Sequence, residues 1–133
     1  MNRLLCFFLL IPAILSCATV TEKLRLSKFD KTHEAYETTM KGSHYGAALG
    51  YIDPSLRNEK LDFDALDNVK IVDYKTTYIK VSEDRFKIEQ EVSLQYFLLD
   101  RNIVKTIQYR EVWLFNEVQG KWWLHTPLPS FGN

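Results

Sequence analysis

The feature that most constrains this chain is a change of hydrophobic period at residue 69. Before it, Phe29, His33, Tyr36 and Met40 recur at spacings of four, three and four, which puts them on one helical face. After it, residues 69–81 are rich in Val, Ile, Thr and Tyr, and the period becomes two. In the next run Phe86, Ile88, Val92, Leu94, Tyr96 and Leu98 point one way, and Lys87, Glu89, Glu91, Ser93 and Gln95 the other. A third strand is predicted over 103–115 and a short fourth over 121–125, with turns at 83–84, 100–102 and 118–120. Connections this short make an antiparallel meander. The alternation slips between Asp73 and Thr77, which predicts a bulge. Helices followed by strands is the order of an α+β domain, with N-terminal helices packed on an antiparallel sheet of about four strands.

The helical half carries its own punctuation. Ser27-x-x-Asp30 has the pattern of a helix N-terminus, and Gly42 reads as a stop. A second short helix is predicted after Ser43, with Tyr45, Ala48, Leu49 and Ile52 buried and Asp53-Pro54 ending it. Gly46 and Gly50, one turn apart, predict the close approach of another backbone. In the acidic stretch 58–68, Leu61, Ala65 and Leu66 fit one turn of helix.

The first residues read as a targeting signal. Arg3 supplies a positive start, and residues 4–15 are apolar apart from Pro12. That run is shorter than the ~20 residues a spanning helix needs and fits the apolar core of a signal peptide. It ends Ile14-Leu15-Ser16-Cys17, which resembles the lipobox of bacterial lipoproteins. The resemblance implies cleavage before Cys17, a diacylglyceryl group on its thiolate, the nucleophile that can accept one, and acylation of the new N-terminus with a palmitate-type chain. More than one chain is what makes such an anchor stable. Ala18, rather than an aspartate, implies sorting to the outer membrane, facing the periplasm. The expected division is a signal peptide over 1–16, a lipidated tether over 17–26 and a single domain over 27–133. A plain secretory signal and an uncleaved anchor are the alternatives.

Charge and cysteine content narrow the function classes. The chain has 17 basic and 17 acidic residues; loss of Arg3 with the leader leaves 16 and 17, a net charge of −1. That balance carries no electrostatic footprint for nucleic acid. Cys6 leaves with the leader, so Cys17 is the only cysteine of the mature chain and no disulfide is expected. The core must hold the fold without a covalent staple, and the abundant Phe, Tyr and Trp are suited to that.

The ending Trp113-Leu114-Phe115, a turn, then Gly120-Lys121-Trp122-Trp123-Leu124, together with the Asp53-Pro54 stop, resembles the NTF2-like superfamily. The resemblance implies a cone, in which helices pack into the hollow of a curved sheet. A generic helix-plus-meander domain and a small lipocalin-like barrel are the alternatives. Some members of that superfamily are enzymes that use a pocket carboxylate or histidine as a base. The candidate pocket residues are His33, Tyr36 and Met40 from the helix and Tyr109, Glu111 and Trp113 from the third strand, with His33 and Glu111 as a conceivable dyad. No enzyme signature of the superfamily transfers to these positions, and no catalytic residue is assigned.

No metal or cofactor is expected: His44 and His125 are isolated, and Asp62, Asp64 and Asp67 lack the glycine and terminal glutamate of a calcium loop. Adjacent Trp122 and Trp123 must point to opposite sides of their strand, and Phe97 and Leu99 lie on a nominally polar face. Homodimerisation through the sheet is the expectation that follows, alongside a protein partner in the envelope and the membrane reached by the lipid. The leading functional expectation is a non-enzymatic lipoprotein that binds a partner protein or a small apolar ligand. A small isomerase- or cyclase-type enzyme and a structural subunit of an envelope complex are the rivals.

Overall fold

The computed structural model describes residues 13–57 and 61–132 of the chain. The fold is α+β: one long helix, α1 (Ala13–Lys41), packs on an open four-stranded antiparallel sheet of order β1-β2-β3-β4. The strands are β1 (Val69–Val81), β2 (Lys87–Leu98), β3 (Ile103–Asn116) and β4 (Lys121–Leu124). Two short helices, α2 (Tyr45–Ala48) and α3 (Phe63–Asp67), and two 3-10 turns, Leu49–Tyr51 and Pro54–Leu56, fill the connection between α1 and β1. Most of the expected signal peptide, residues 1–12, lies outside the described residues. Among the described residues no helix is long and apolar enough to cross a membrane.

The stripe Phe29, Tyr36 and Met40 is buried on the sheet, with His33 partly buried between them. The same helix runs back through the segment expected to be a tether, so Ser27 is not a helix start. Residues 18–26 are mostly Ala, Leu, Glu, Lys and Arg, contain no Gly or Pro, and propagate a helix that is already nucleated. Ordered packing also begins before Ser27. The Arg25 guanidinium sits 3.8 Å from the Phe86 ring centre and donates to the Asp84 carbonyl at 3.3 Å. The Trp122 indole N–H donates to the Arg25 carbonyl at 2.9 Å.

The C-terminus of α1 closes one residue later than expected. His44 N donates to Thr39 O at 3.1 Å and Ser43 N to Met40 O at 2.9 Å, the hydrogen-bond pair of a Schellman end. The left-handed residue is Ser43 (φ 56°), not Gly42. Ser43 repays the strain: its Oγ accepts the Ile71 N–H at 2.9 Å and ties the helix end to β1. At Gly42 a Cβ would lie 2.5 Å from the exposed His44 ring, which would have to turn aside. Tyr45, Ala48 and Ile52 are buried as expected, and Asp53 caps the next turn through Ser55 N. Gly46 and Gly50, by contrast, have open space where a Cβ would stand. Asp62 caps α3 by accepting Ala65 N–H at 3.1 Å.

The expected bulge in β1 is two irregularities, at Ile71/Asp73 and at Thr76/Tyr78. β1 is an open edge, and two bulges with Lys70, Lys75 and Lys80 are the devices that keep such an edge from pairing with another chain. The sheet's inner face, with Ile88, Val92, Leu94, Tyr96, Leu98 and Trp113, is buried beneath α1, the connecting helices and the C-terminal segment, where Phe131 packs on Tyr96. The centre of the outer face is polar: Glu89 bridges Lys87 and Arg110, and Gln108 donates to Ser93 at 3.0 Å. Phe97 and Val104 pair at one end of that face.

The tryptophan pair divides between the faces. Trp122 enters the core against Phe29 and Phe115. Trp123 is buried on the other side without a partner chain: its N–H donates to Gln119 Oε1 at 2.6 Å, and the Lys121 ammonium lies 4.0 Å from the ring centre. Long cationic side chains cover aromatic surface in this way.

Candidate functional site

The inner face of the sheet is apolar except at one level, where β2 and β3 place Gln90 opposite Glu111. Glu111 is 0% exposed and Gln90 1% exposed. A carboxylate taken this far from water needs partners, and the neighbouring elements supply them. Tyr74 leans across from β1 and donates its hydroxyl to Glu111, 2.7 Å from Oε2 and also within reach of Oε1. The Gln90 amide N–H donates to Glu111 Oε2 at 3.4 Å and to the Tyr74 oxygen at 3.5 Å.

The helix closes the cluster from above. His33 Nε2 lies 2.6 Å from Gln90 Nε2 and 3.2 Å from the Tyr74 hydroxyl. With Gln90 donating, His33 Nε2 accepts, and the imidazole proton sits on Nδ1. The ring is therefore neutral in this arrangement. Tyr36 packs edge-on against Trp113, with centres 5.3 Å apart, and His33 does the same at 6.1 Å. The aromatic wall that results separates the cluster from solvent.

Burial dominates the electrostatics. It raises the Glu111 carboxyl to about 7, outweighing the donors from Tyr74 and Gln90 that favour its charged form. Burial lowers His33, against the pull of Glu37 and Asp30 on the rim of α1. Tyr36, Tyr74 and Tyr109 are all driven upward, first by burial, with the Glu111 charge adding to each, so all three remain neutral phenols. Near neutral pH the Glu111 carboxyl exchanges its proton and the three phenols keep theirs.

Three polar atoms around this centre, Tyr36 Oη, Tyr109 Oη and Trp113 Nε1, complete no hydrogen bond. The Tyr36 and Tyr109 hydroxyls neighbour one another, and each shifts the other's ionisation. Buried unpaired donors are uncommon and mark a place where water or a ligand atom would be stabilised.

Five of the six candidate pocket residues, His33, Tyr36, Tyr109, Glu111 and Trp113, converge here. Met40 does not: it lies farther along α1 and is fully buried in the apolar core. Tyr74 and Gln90, which hold Glu111 and His33 together, are additional members. Gln90 sits at an inward position by simple parity on β2, and that parity is the signal that identifies it. Cys17 falls within the helical span of α1. His125 is the partner of Asp53, at 3.3 Å, and takes no part in the cluster. Among the described residues no three His, Cys, Asp or Glu side chains are arranged to hold a metal ion. No protein-family model matches the chain, and no curated protein matches it.

Proposed function

We propose that this chain is a bacterial envelope lipoprotein, anchored through Cys17 to the outer membrane and facing the periplasm, whose domain is a binding module rather than an enzyme. The observation that carries the binding reading is the state of Glu111. Its carboxylate is the one group placed and tuned for proton transfer, yet it is fully buried and already engaged by Tyr74 and Gln90 under a closed helix. A general base has to come within hydrogen-bond reach of a substrate proton. Here the same groups are spent on holding α1 to the sheet.

The anchor gives the module its setting. Arg25, anchored to Asp84, Phe86 and Trp122, lies eight positions after Cys17, a rise of about 12 Å as helix. A domain on so short a helical stalk works close to the bilayer. Growth with a clickable palmitate analogue tests the anchor: labelling is expected in the wild type and absent in Cys17→Ala. Persistent labelling of the variant would refute it. Affinity purification from membranes, with mass spectrometry of co-purifying proteins and small molecules, tests the module.

One observation favours the enzymatic reading, which we keep as the second: the unpaired Tyr36 and Tyr109 hydroxyls beside Glu111. If α1 opened, those groups would form a donor pair facing a base. Turnover of any co-purified small molecule, lost in Glu111→Gln, would replace the first reading with this one.

A further inference from the structure

The two ends of the sheet stand beside different ends of α1. At one end α1 stops: Ser43 Oγ accepts the Ile71 N–H, and Val69 pairs with Leu98 next to the β2–β3 turn. At the other end its packing begins. Arg25 donates to the Asp84 carbonyl of the β1–β2 turn, and Lys28 Nζ donates to the Gly120 carbonyl of the β3–β4 turn at 3.2 Å. The β1–β2 and β3–β4 turns therefore flank the part of α1 that leads back to Cys17.

That end exposes apolar side chains. Val20 is 55% exposed and Leu24 60%. They follow Cys17 at three and seven residues, which puts the three positions on one face of the helix. Lys28 and Lys31, both exposed, continue the same face. Glu22 stands two positions from both Val20 and Leu24 and falls off it. The β3–β4 turn, held to α1 through Lys28, carries Val118 at 98% exposure. Glu117 stands beside Val118, so the character of that turn is apolar at its tip and not cationic.

Helix geometry selects what meets this surface. α1 is one helix from Ala13 to Lys41, without a break between Cys17 and the packed Arg25. Val20 therefore lies about 4.5 Å and Leu24 about 10 Å along the axis from Cys17. Acyl chains on Cys17 lie in hydrocarbon. Side chains so near them on the same face stand at the boundary of headgroups and chains, into which the apolar face of an interfacial helix sinks by ~5–10 Å. Lysines one and two turns farther on suit the layer above, where long cationic stems cross apolar surface and carry their ammonium groups to lipid phosphates.

We infer that the domain docks on the lipid bilayer through this surface, with Val20, Leu24 and Val118 at the headgroup–chain boundary and Lys28 and Lys31 at the phosphates. The inference rests on the Cys17 anchor of the proposed function and adds an orientation to it. The β1–β2 and β3–β4 turns face the membrane, and the β2–β3 turn faces away.

The test uses the lipidated mature chain in vesicles of phosphatidylethanolamine and phosphatidylglycerol. With Cys17 lipidated, one new cysteine is the only free thiol and takes a bimane label. Leu24→Cys and Val118→Cys probe the surface, and Leu99→Cys, exposed beside the β2–β3 turn, is the control. All three positions are on the outside, so the fold is kept. Addition of lipid with a nitroxide near the headgroup end of its chain should remove most of the emission at positions 24 and 118, both already shifted to the blue, and leave position 99 unchanged. Anything less than quenching at both 24 and 118, or equal quenching at 99, would overturn the inference. So would blue-shifted labels that the nitroxide lipid does not quench, the result expected if a second copy of the chain covers the surface. Incorporation of the palmitate analogue separates the two readings. A chain that carries the analogue and fails these tests loses only the docking; a chain that does not carry it loses the anchor itself.

Discussion

Two carboxylates on neighbouring strands, one step apart in register, behave in opposite ways. Glu89 pairs across the sheet with Val112 and points outward; Glu111 pairs with Gln90 and points inward. Glu89 receives Lys87 and Arg110 in the presence of water, and those cations lower its carboxyl below the usual range. Glu111 receives only neutral donors, Tyr74 and Gln90, and burial raises it to about 7 despite them. Neutral hydrogen bonds to a buried charge do not replace the hydration it loses. The outer carboxylate is a solvated member of an ion network. The inner one is a titratable part of the core, placed where α1 meets the sheet.

The largest expected effect is on pH dependence. A carboxyl at about 7 when folded and near 4.5 when unfolded binds its proton more tightly in the native state. Its stabilising contribution is therefore complete below pH 4.5 and is lost as pH rises through 7. Every tenfold difference in proton affinity is worth ~1.36 kcal/mol, so the difference in unfolding free energy between Glu111→Gln and the wild type should move by about 3 kcal/mol in the variant's favour from pH 4.5 to 8. Urea unfolding at a series of pH values measures it, and parallel profiles would erase the contrast between the two faces. Tyr74→Phe comes next. It removes the shortest donor to Glu111 and should destabilise the protein by roughly 1.5–3 kcal/mol at pH 8, and by less at pH 5, where the carboxyl is protonated. An effect independent of pH would show that Tyr74 serves packing alone.

How much of this the sequence discloses depends on whether a residue's environment is set locally. The α+β order and the four strands are legible because the period changes from 3.6 to two and each turn carries turn residues. His33 and Glu111 are legible as facing the same hollow, because helix spacing and strand parity both point them inward. Tyr74 is not, because the irregularity after Ile71 shifts the parity of β1, and only the pairing with β2 reveals which side a residue beyond it faces. Gln90 is a polar residue at an inward position, and its partners come from α1, β1 and β3, which no local pattern brings together. The front of α1 is missed for another reason. Val20 and Leu24 are exposed, so that segment has no buried apolar stripe, and its anchoring at Arg25 comes from Asp84, Phe86 and Trp122, which lie far away in sequence.

His33 sharpens the comparison with a smaller effect of the opposite sign. Burial lowers its pKa from the ordinary value of 6.5, so the native state holds it neutral while the unfolded chain takes up a proton. Its contribution is present above pH 6.5 and is lost as pH falls through the lowered value. Against Glu111 this gives a cluster strained on both sides, by an ionised carboxylate at high pH and by an imidazolium at low pH. NMR titration of the imidazole should place His33 below 6.5, and Glu37→Gln should lower it further by removing a nearby negative charge. An unshifted His33 would mean that water reaches the cluster.

The smallest expected effect is at Glu89, and its smallness is the point. The outer network is exposed, with Lys87 and Arg110 each about half open to solvent, so salt screens it and its side chains give up entropy to form it. Glu89→Gln keeps the shape of the side chain and removes the charge. The urea midpoint should stay within the scatter of the measurement at both pH 4.5 and pH 8, while Glu111→Gln on the other side of the same sheet should not. A Glu89→Gln effect as large and as pH-dependent as that of Glu111→Gln would mean that the outer face is covered. In that event a second copy or a partner on the sheet, meeting it at Phe97 and Val104, becomes the explanation, and light scattering of the wild type at micromolar concentration would then have to find a species larger than the monomer.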